Sequence, residues 1–208
     1  MSRCLSCISV ASRDTGRYAG SARRPQGSAI RIFPLLTLTA CLLLPGYWAF
    51  AATPLPAGSS YAVAFSPYGK SLDLTLSCIR AAERNILVAA FSFTNKRISR
   101  ALREAHTRGV KVLVVADKEV NSQYTAVAYL ANQGVPVRLN GRYAVHHHKF
   151  MVIDGMHVET GSFNYSAAAV DKNAENVLVL WNVPTLAAQY AAEWKRLWDE
   201  GEPLHAKY

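Results

Sequence analysis

Short apolar runs alternate along the chain with segments whose apolar residues recur at helical spacing. Tyr61-Ala62-Val63-Ala64-Phe65-Ser66 predicts a strand closed by Pro67 and Gly69. From Ser71 to Arg84, Leu72, Leu76, Ile79 and Glu83 fall at helical spacing, with Cys78 beside the apolar face. Asn85 to Phe93 carries Ile86-Leu87-Val88-Ala89-Ala90-Phe91 without a polar break, the pattern of a strand covered on both faces. Thr94 or Asn95 caps the next helix, whose core side is Ile98, Leu102 and Ala105 and whose end is Gly109. Val110 to Ala116 predicts another buried strand, Ser122 to Gln133 a helix stopped by Gly134, and Val135 to Leu139 a further strand. Strand and helix alternate three times, which predicts an α/β fold with a mixed central β-sheet sandwiched by helices.

The second half begins with a hairpin. Lys149-Phe150-Met151-Val152-Ile153 is apolar after its first residue, Asp154-Gly155 is a hairpin turn pair, and His157-Val158-Glu159-Thr160 returns. Glu175 to Trp181 is a strand with Glu175 at its start. Pro184 opens a final helix with Leu186, Tyr190, Trp194 and Leu197 on one face. That aromatic stripe reads as core packing, with a base-stacking platform as the alternative.

The first 51 residues have a different character. Arg3, Arg13, Arg17, Arg23, Arg24 and Arg31 face one acid, Asp14, and an apolar run from Ile32 to Leu44 leads to Ala49-Phe50-Ala51. Basic, apolar and small-x-small regions in that order predict a signal peptide over 1–51, cut after Ala51, and hence a periplasmic or secreted protein. An uncleaved anchor over Ile32 to Ala52 is the alternative that would add a membrane, although Pro34, Pro45 and Gly46 weaken it. Leu38-Thr39-Ala40-Cys41 resembles a lipoprotein processing site, but Leu42-Leu43-Leu44 is too apolar for a mature N-terminus. A linker over 52–60 and a catalytic domain over 61–208 complete the expected organisation.

Losing the leader changes the charge. Without its six arginines and Asp14, 23 basic residues become 17 and 14 acidic residues become 13, so the net charge falls from +9 to +4. The remaining domain is mildly basic, compatible with a polyanionic substrate. Cys4, Cys7 and Cys41 go with the leader, leaving Cys78 without an internal disulfide partner.

The chemistry concentrates in 147–164. The polar skeleton H-x-K-x4-D-x6-G-S-x-N fixes His147, Lys149, Asp154, Gly161, Ser162 and Asn164. Alternation along a strand points His147 and Lys149 to one side and His148 to the other. The returning strand brings the Gly161-Ser162-Phe163-Asn164 loop back beside His147. An imidazole, an ammonium, a hydroxyl and an amide then converge as a phosphate would require: Lys149 supplies charge, Ser162 and Asn164 neutral donors, and His147 a nucleophile or general acid/base. His146-His147-His148 also invites a metal reading, but alternation splits the three rings, and no carboxylate cluster accompanies them; the chemistry is read as needing no metal or other cofactor.

This string resembles the HKD signature of the phospholipase D superfamily, and the chain is similar, over roughly Tyr61 to Trp198, to the short single-motif bacterial endonucleases of that superfamily. The resemblance implies that His147 attacks a phosphodiester to form a phosphohistidine, with Lys149, Ser162 and Asn164 holding the phosphate. It implies that Glu175 orients the imidazole. It places Asp154 in the motif, where its turn position suggests organisation more than direct chemistry.

In-line displacement needs a second proton donor, yet neither His106-Thr107-Arg108 nor His157-Val158-Glu159 repeats the motif. A homodimer with the site on its two-fold axis supplies two copies of His147, as the resemblance also implies. The expected function is a metal-independent endonuclease cleaving DNA and perhaps RNA. The alternatives are a phospholipase D acting on lipid head groups and a nucleic-acid-binding accessory protein with vestigial activity. Arg97, Arg100 and Arg103 on one helix read as a solvated face, with a substrate-facing stripe as the alternative.

Overall fold

The apolar runs pair into one eight-stranded mixed sheet in a computed structural model that describes residues 52–121 and 125–207. The elements are β1 (Ser60–Ser66), α1 (Ser71–Ala81), β2 (Asn85–Ala90), α2 (Lys96–Thr107), β3 (Lys111–Asp117), α3 (Ala126–Asn132), β4 (Val137–Asn140), β5 (Lys149–Ile153), β6 (His157–Gly161), α4 (Ala167–Asp171), β7 (Glu175–Trp181), α5 (Pro184–Glu200) and β8 (Glu202–Pro203). The strand order is β1-β7-β6-β5-β2-β3-β4-β8. β2, β3 and β4 are parallel because α2 and α3 serve as crossovers. β5, β6, β7 and β1 are antiparallel neighbours, and β5 joins the halves by pairing antiparallel with β2.

Both faces of the central strands are buried, which explains their unbroken apolar runs. One face packs Leu76, Ile79, Ile98, Leu102, Val127 and Leu130 from α1, α2 and α3 against Ile86, Val88, Val112 and Val114. The other packs Trp194 and Leu197 of α5 against Ala89, Val115, Phe150 and Val152. The indole N–H of Trp194 donates to the Val88 carbonyl at 2.9 Å, so the aromatic stripe of α5 is core packing.

Several boundaries differ from the sequence expectation. α1 stops at Ala81, and β2 stops at Ala90 although the apolar run continues. Phe91 and Phe93 leave the sheet: the Phe93 N–H donates to Asn121 Oδ1 at 3.0 Å, and its ring meets Tyr165 edge-on at 5.6 Å. Asn95 is the cap of α2, accepting from the N–H groups of Arg97 and Ile98. The helix expected from Ser122 runs from Ala126 to Asn132; residues 122–124, like the expected leader over 1–51, lie outside the described residues. The short α4 and β8 were not expected, since five and two residues are too few to show a period.

Candidate active site

Four strand ends meet at one edge of the sheet. Ala90 closes β2 opposite Lys149, the first residue of β5. Phe150 pairs with Thr160 near the end of β6, and Gly161 pairs with Val177 near the start of β7. Register alone therefore gathers Lys149, Gly161, Ser162 and Glu175. Gly161 is obligatory, because a Cβ there would lie 2.1 Å from the Asn176 carbonyl oxygen.

His147 and Lys149 share a side, as strand alternation requires. Phe91 shows it: the His147 ring lies 4.6 Å from the Phe91 centroid, and Lys149 Nζ is 5.0 Å above the same ring. Lys149 Nζ also donates to the His147 carbonyl at 2.7 Å. The lysine is only 7 % exposed. Burial lowers its pKa from the ordinary lysine value, and the nearby Glu175 carboxylate pulls in the opposite direction.

His148 takes the other side, with its ring 5.6 Å from Phe150 and its Nε2 3.3 Å from Glu193. His146 is buried beside it, with ring centroids 5.8 Å apart. Burial drives the His146 pKa down to about 4, so this imidazole is neutral at physiological pH. The buried Asp117 accepts the His146 N–H at 2.8 Å and thereby fixes the segment leading into His147.

The loop after β6 is anchored at both ends. Thr94 and Asn95 donate their N–H groups to the Tyr165 carbonyl at 2.9 Å. The Tyr165 hydroxyl donates to Glu159 Oε2 at 2.7 Å, and Thr75 donates to Glu159 Oε1 at 3.3 Å. Between these anchors, Ser162 Oγ donates to Glu175 Oε2 at 2.6 Å and accepts from the Asn176 backbone N–H at 3.1 Å. Glu175 also accepts from Asn173 Nδ2 at 3.0 Å. Asn164 follows in the same loop, and its side-chain Oδ1 is buried without a hydrogen-bond partner.

Glu175 is therefore bonded to Ser162 and Asn173; among the described residues no hydrogen bond joins it to the His147 imidazole that the resemblance assigned to it. Asp154 does not reach the site at all. It sits at the turn joining β5 to β6, with φ 56°, a β5 length or roughly 15 Å from Lys149 at ~3.3 Å per residue. Its carboxylate accepts the backbone N–H groups of Glu83, Arg84 and Asn85 at 3.0, 2.7 and 2.9 Å, clamping the α1–β2 connection. Burial raises the Asp154 pKa, but these N–H groups and the Arg84 guanidinium outweigh it and hold the carboxyl below the usual aspartate range.

The sequence reading missed Phe91, hidden in an apolar run, and Asn173, an unremarkable loop residue. It also missed the cleft that α5 completes. That cleft, about 380 Å³, is bounded by His147, Lys149, Thr160, Tyr190 and Glu193, and His148 reaches it from the α5 side. A cation and an imidazole on one open cleft, with the Ser162–Glu175 pair near the cation, can bind and attack a tetrahedral anion.

Residues 75–198 match the family described as "Cardiolipin synthase, PLD-like domain". The chain belongs to the phospholipase D superfamily of phosphodiesterases. The structure of a phospholipase D family member, Nuc from Salmonella typhimurium, superposes with a TM-score of 0.69 at 38 % identity, covering 71 % of this chain and 99 % of that one. The mitochondrial cardiolipin hydrolase of Mus musculus is 29 % identical over 90 % of this chain and 82 % of its own length. That of Danio rerio is 34 % identical over 68 % of this chain, a match spanning 63 % of the fish protein. The mixed sheet flanked by helices is thus that of a phospholipase D-like domain.

Proposed function

We propose that the protein is a nuclease that cleaves a nucleic-acid phosphodiester through a phosphohistidine on His147. The observation that carries this reading is the placement of His147 and Lys149 on one side of β5, beside the Ser162–Glu175 pair. A His147 nitrogen bonds to phosphorus while the P–O bond to the leaving group breaks, and water later displaces the histidine. Lys149, Ser162 and Asn164 hold the phosphoryl oxygens as they gain charge. Glu175 acts on the hydroxyl of Ser162, which suits it to orienting a phosphate-binding donor.

The leaving oxygen needs a proton, and the chain holds one motif. A second copy of the chain supplies it, with His147 of the partner subunit as the acid. Support comes from the sheet face beside the cleft. Tyr61, Val63 and Phe65 alternate along the edge strand β1 and are 69 %, 50 % and 61 % exposed. Val63 lies opposite Leu178, which lies opposite Thr160 at the cleft wall. Among the described residues α5 packs over β2 to β6 and nothing covers this apolar stripe, which a second subunit would bury next to the site.

The cardiolipin hydrolase relatives favour a second reading, hydrolysis of a phospholipid head group at the same site. Incubating the purified protein in EDTA with plasmid DNA, RNA and cardiolipin vesicles, with His147→Ala as control, separates the two. Cleavage of nucleic acid that vanishes in the variant is expected. Hydrolysis of lipid alone would reject the nuclease, and binding without turnover would favour an accessory role. Export through the leader, and hence action outside the cytoplasm, is part of the same proposal.

A further inference from the structure

The arginine stripe of α2 is not uniform. Arg97 lies 3.7 Å from Asp73, and Arg103 lies 3.6 Å from Glu104. Lys96 and Arg100 form no ion pair among the described residues; both line a second cleft of about 270 Å³ between the N-terminal ends of α2 and α3, with Thr94, Ser99 and Tyr129. Among the described residues no carboxylate lines that cleft. The first turn of α2 contains no acid although the helix macrodipole favours one there, so Lys96 adds positive charge where the backbone already presents it. Tyr129 stands at the rim, 39 % exposed, where an aromatic face is open to a base.

Thr94, in the wall of the second cleft, is hydrogen-bonded to the loop after β6. The Thr94 and Asn95 N–H groups bond the carbonyl of Tyr165, the residue after Asn164. Thr94 is thus one hydrogen-bonded step, about 5 Å, from the loop presenting Ser162 and Asn164. A ligand with one phosphate at Lys149 and others along the same strand would reach both clefts, whereas a ligand with one phosphate would fill only the first. We infer that Lys96 and Arg100 form a second phosphate subsite that grips the nucleic-acid backbone beside the scissile bond. This assignment rests on the nuclease reading.

The test uses Lys96→Gln/Arg100→Gln, both on an exposed helical surface, with Arg97→Gln as control. Substrates are a single-stranded oligonucleotide and bis(p-nitrophenyl) phosphate, a diester with no second phosphate. The double variant should raise KM for the oligonucleotide about 10-fold and lower the slope of log KM against log salt by about 1–2. Turnover of the small diester, and both substrates with Arg97→Gln, should stay at the wild-type level. Unchanged oligonucleotide KM and salt slope in the double variant overturn the subsite, as does an equal loss in Arg97→Gln, which would report diffuse charge. A double variant impaired only on cardiolipin vesicles would assign the cations to a lipid and also overturn it. Wild-type protein that hydrolyses the small diester but not the oligonucleotide defeats the nuclease reading itself, and the subsite with it.

Discussion

Lys149 sits nearly buried over Phe91 and donates a hydrogen bond to the carbonyl of His147. In the proposed reaction its charge matters most when the phosphoryl oxygens gain charge, so Lys149→Ala should lower kcat by about 10²–10³ and change KM far less. Steady-state kinetics on one diester substrate checks this. Asp154 makes the opposite case. Asp154→Ala removes an acceptor from three backbone N–H groups and leaves a non-glycine residue at positive φ; it should cost about 2–3 kcal/mol in urea unfolding with kcat near normal. The common side of His147 and Lys149 was legible from two-residue spacing alone. Phe91 was not, because its neighbours are equally apolar and only the end of β2 at Ala90 frees it to meet the imidazole. Nor could spacing show that Glu175 bonds Ser162, a contact set by the β6–β7 register.

At the scale of elements, β6 and its loop form a stapled unit. Glu159, 1 % exposed, ties β6 to Tyr165 beyond the loop and to Thr75 on α1. Burial pushes its pKa from 4.5 up to about 7, against the lowering effect of both hydrogen bonds. A raised folded-state value means that the fold binds the proton more tightly than the unfolded chain does. The associated stability is complete below about pH 4.5 and is lost as pH rises through about 7. Glu159→Gln, which cannot ionise, should therefore gain on wild type in melting temperature between pH 5 and pH 8, by the equivalent of on the order of 3 kcal/mol. Thermal melts at the two pH values decide it. The hairpin carrying this unit was visible in the sequence through Asp154-Gly155. The Glu159 staple was not, because a glutamate in an alternating strand ordinarily reads as solvent-facing.

For the whole molecule, the alternation of elements announced a mixed sheet between helices, but not its strand order. Insertion of β5 between β6 and β2 brings the motif to the centre of the sheet, and no local period encodes that. The uncovered stripe on β1 carries the assembly predictions. Val63→Glu should convert the proposed dimer to monomers in sedimentation and remove activity, since the edge strand would then repel its counterpart. If each site needs two imidazoles, wild type allowed to exchange subunits with an equal amount of His147→Ala should keep about half of its activity, against all of it for independent subunits.

The pairing of β1 with β7 has a consequence for the making of the protein. Ser60 lies opposite Trp181, so this edge of the sheet closes only after Trp181 has been made, and Glu175 reaches Ser162 only with β7. A polypeptide still emerging from the ribosome has its histidine and lysine but no assembled cradle for a phosphate. If the proposed nuclease reading holds, its activity would arise only once β7 has been made, which would spare the nucleic acid of the cell that builds it.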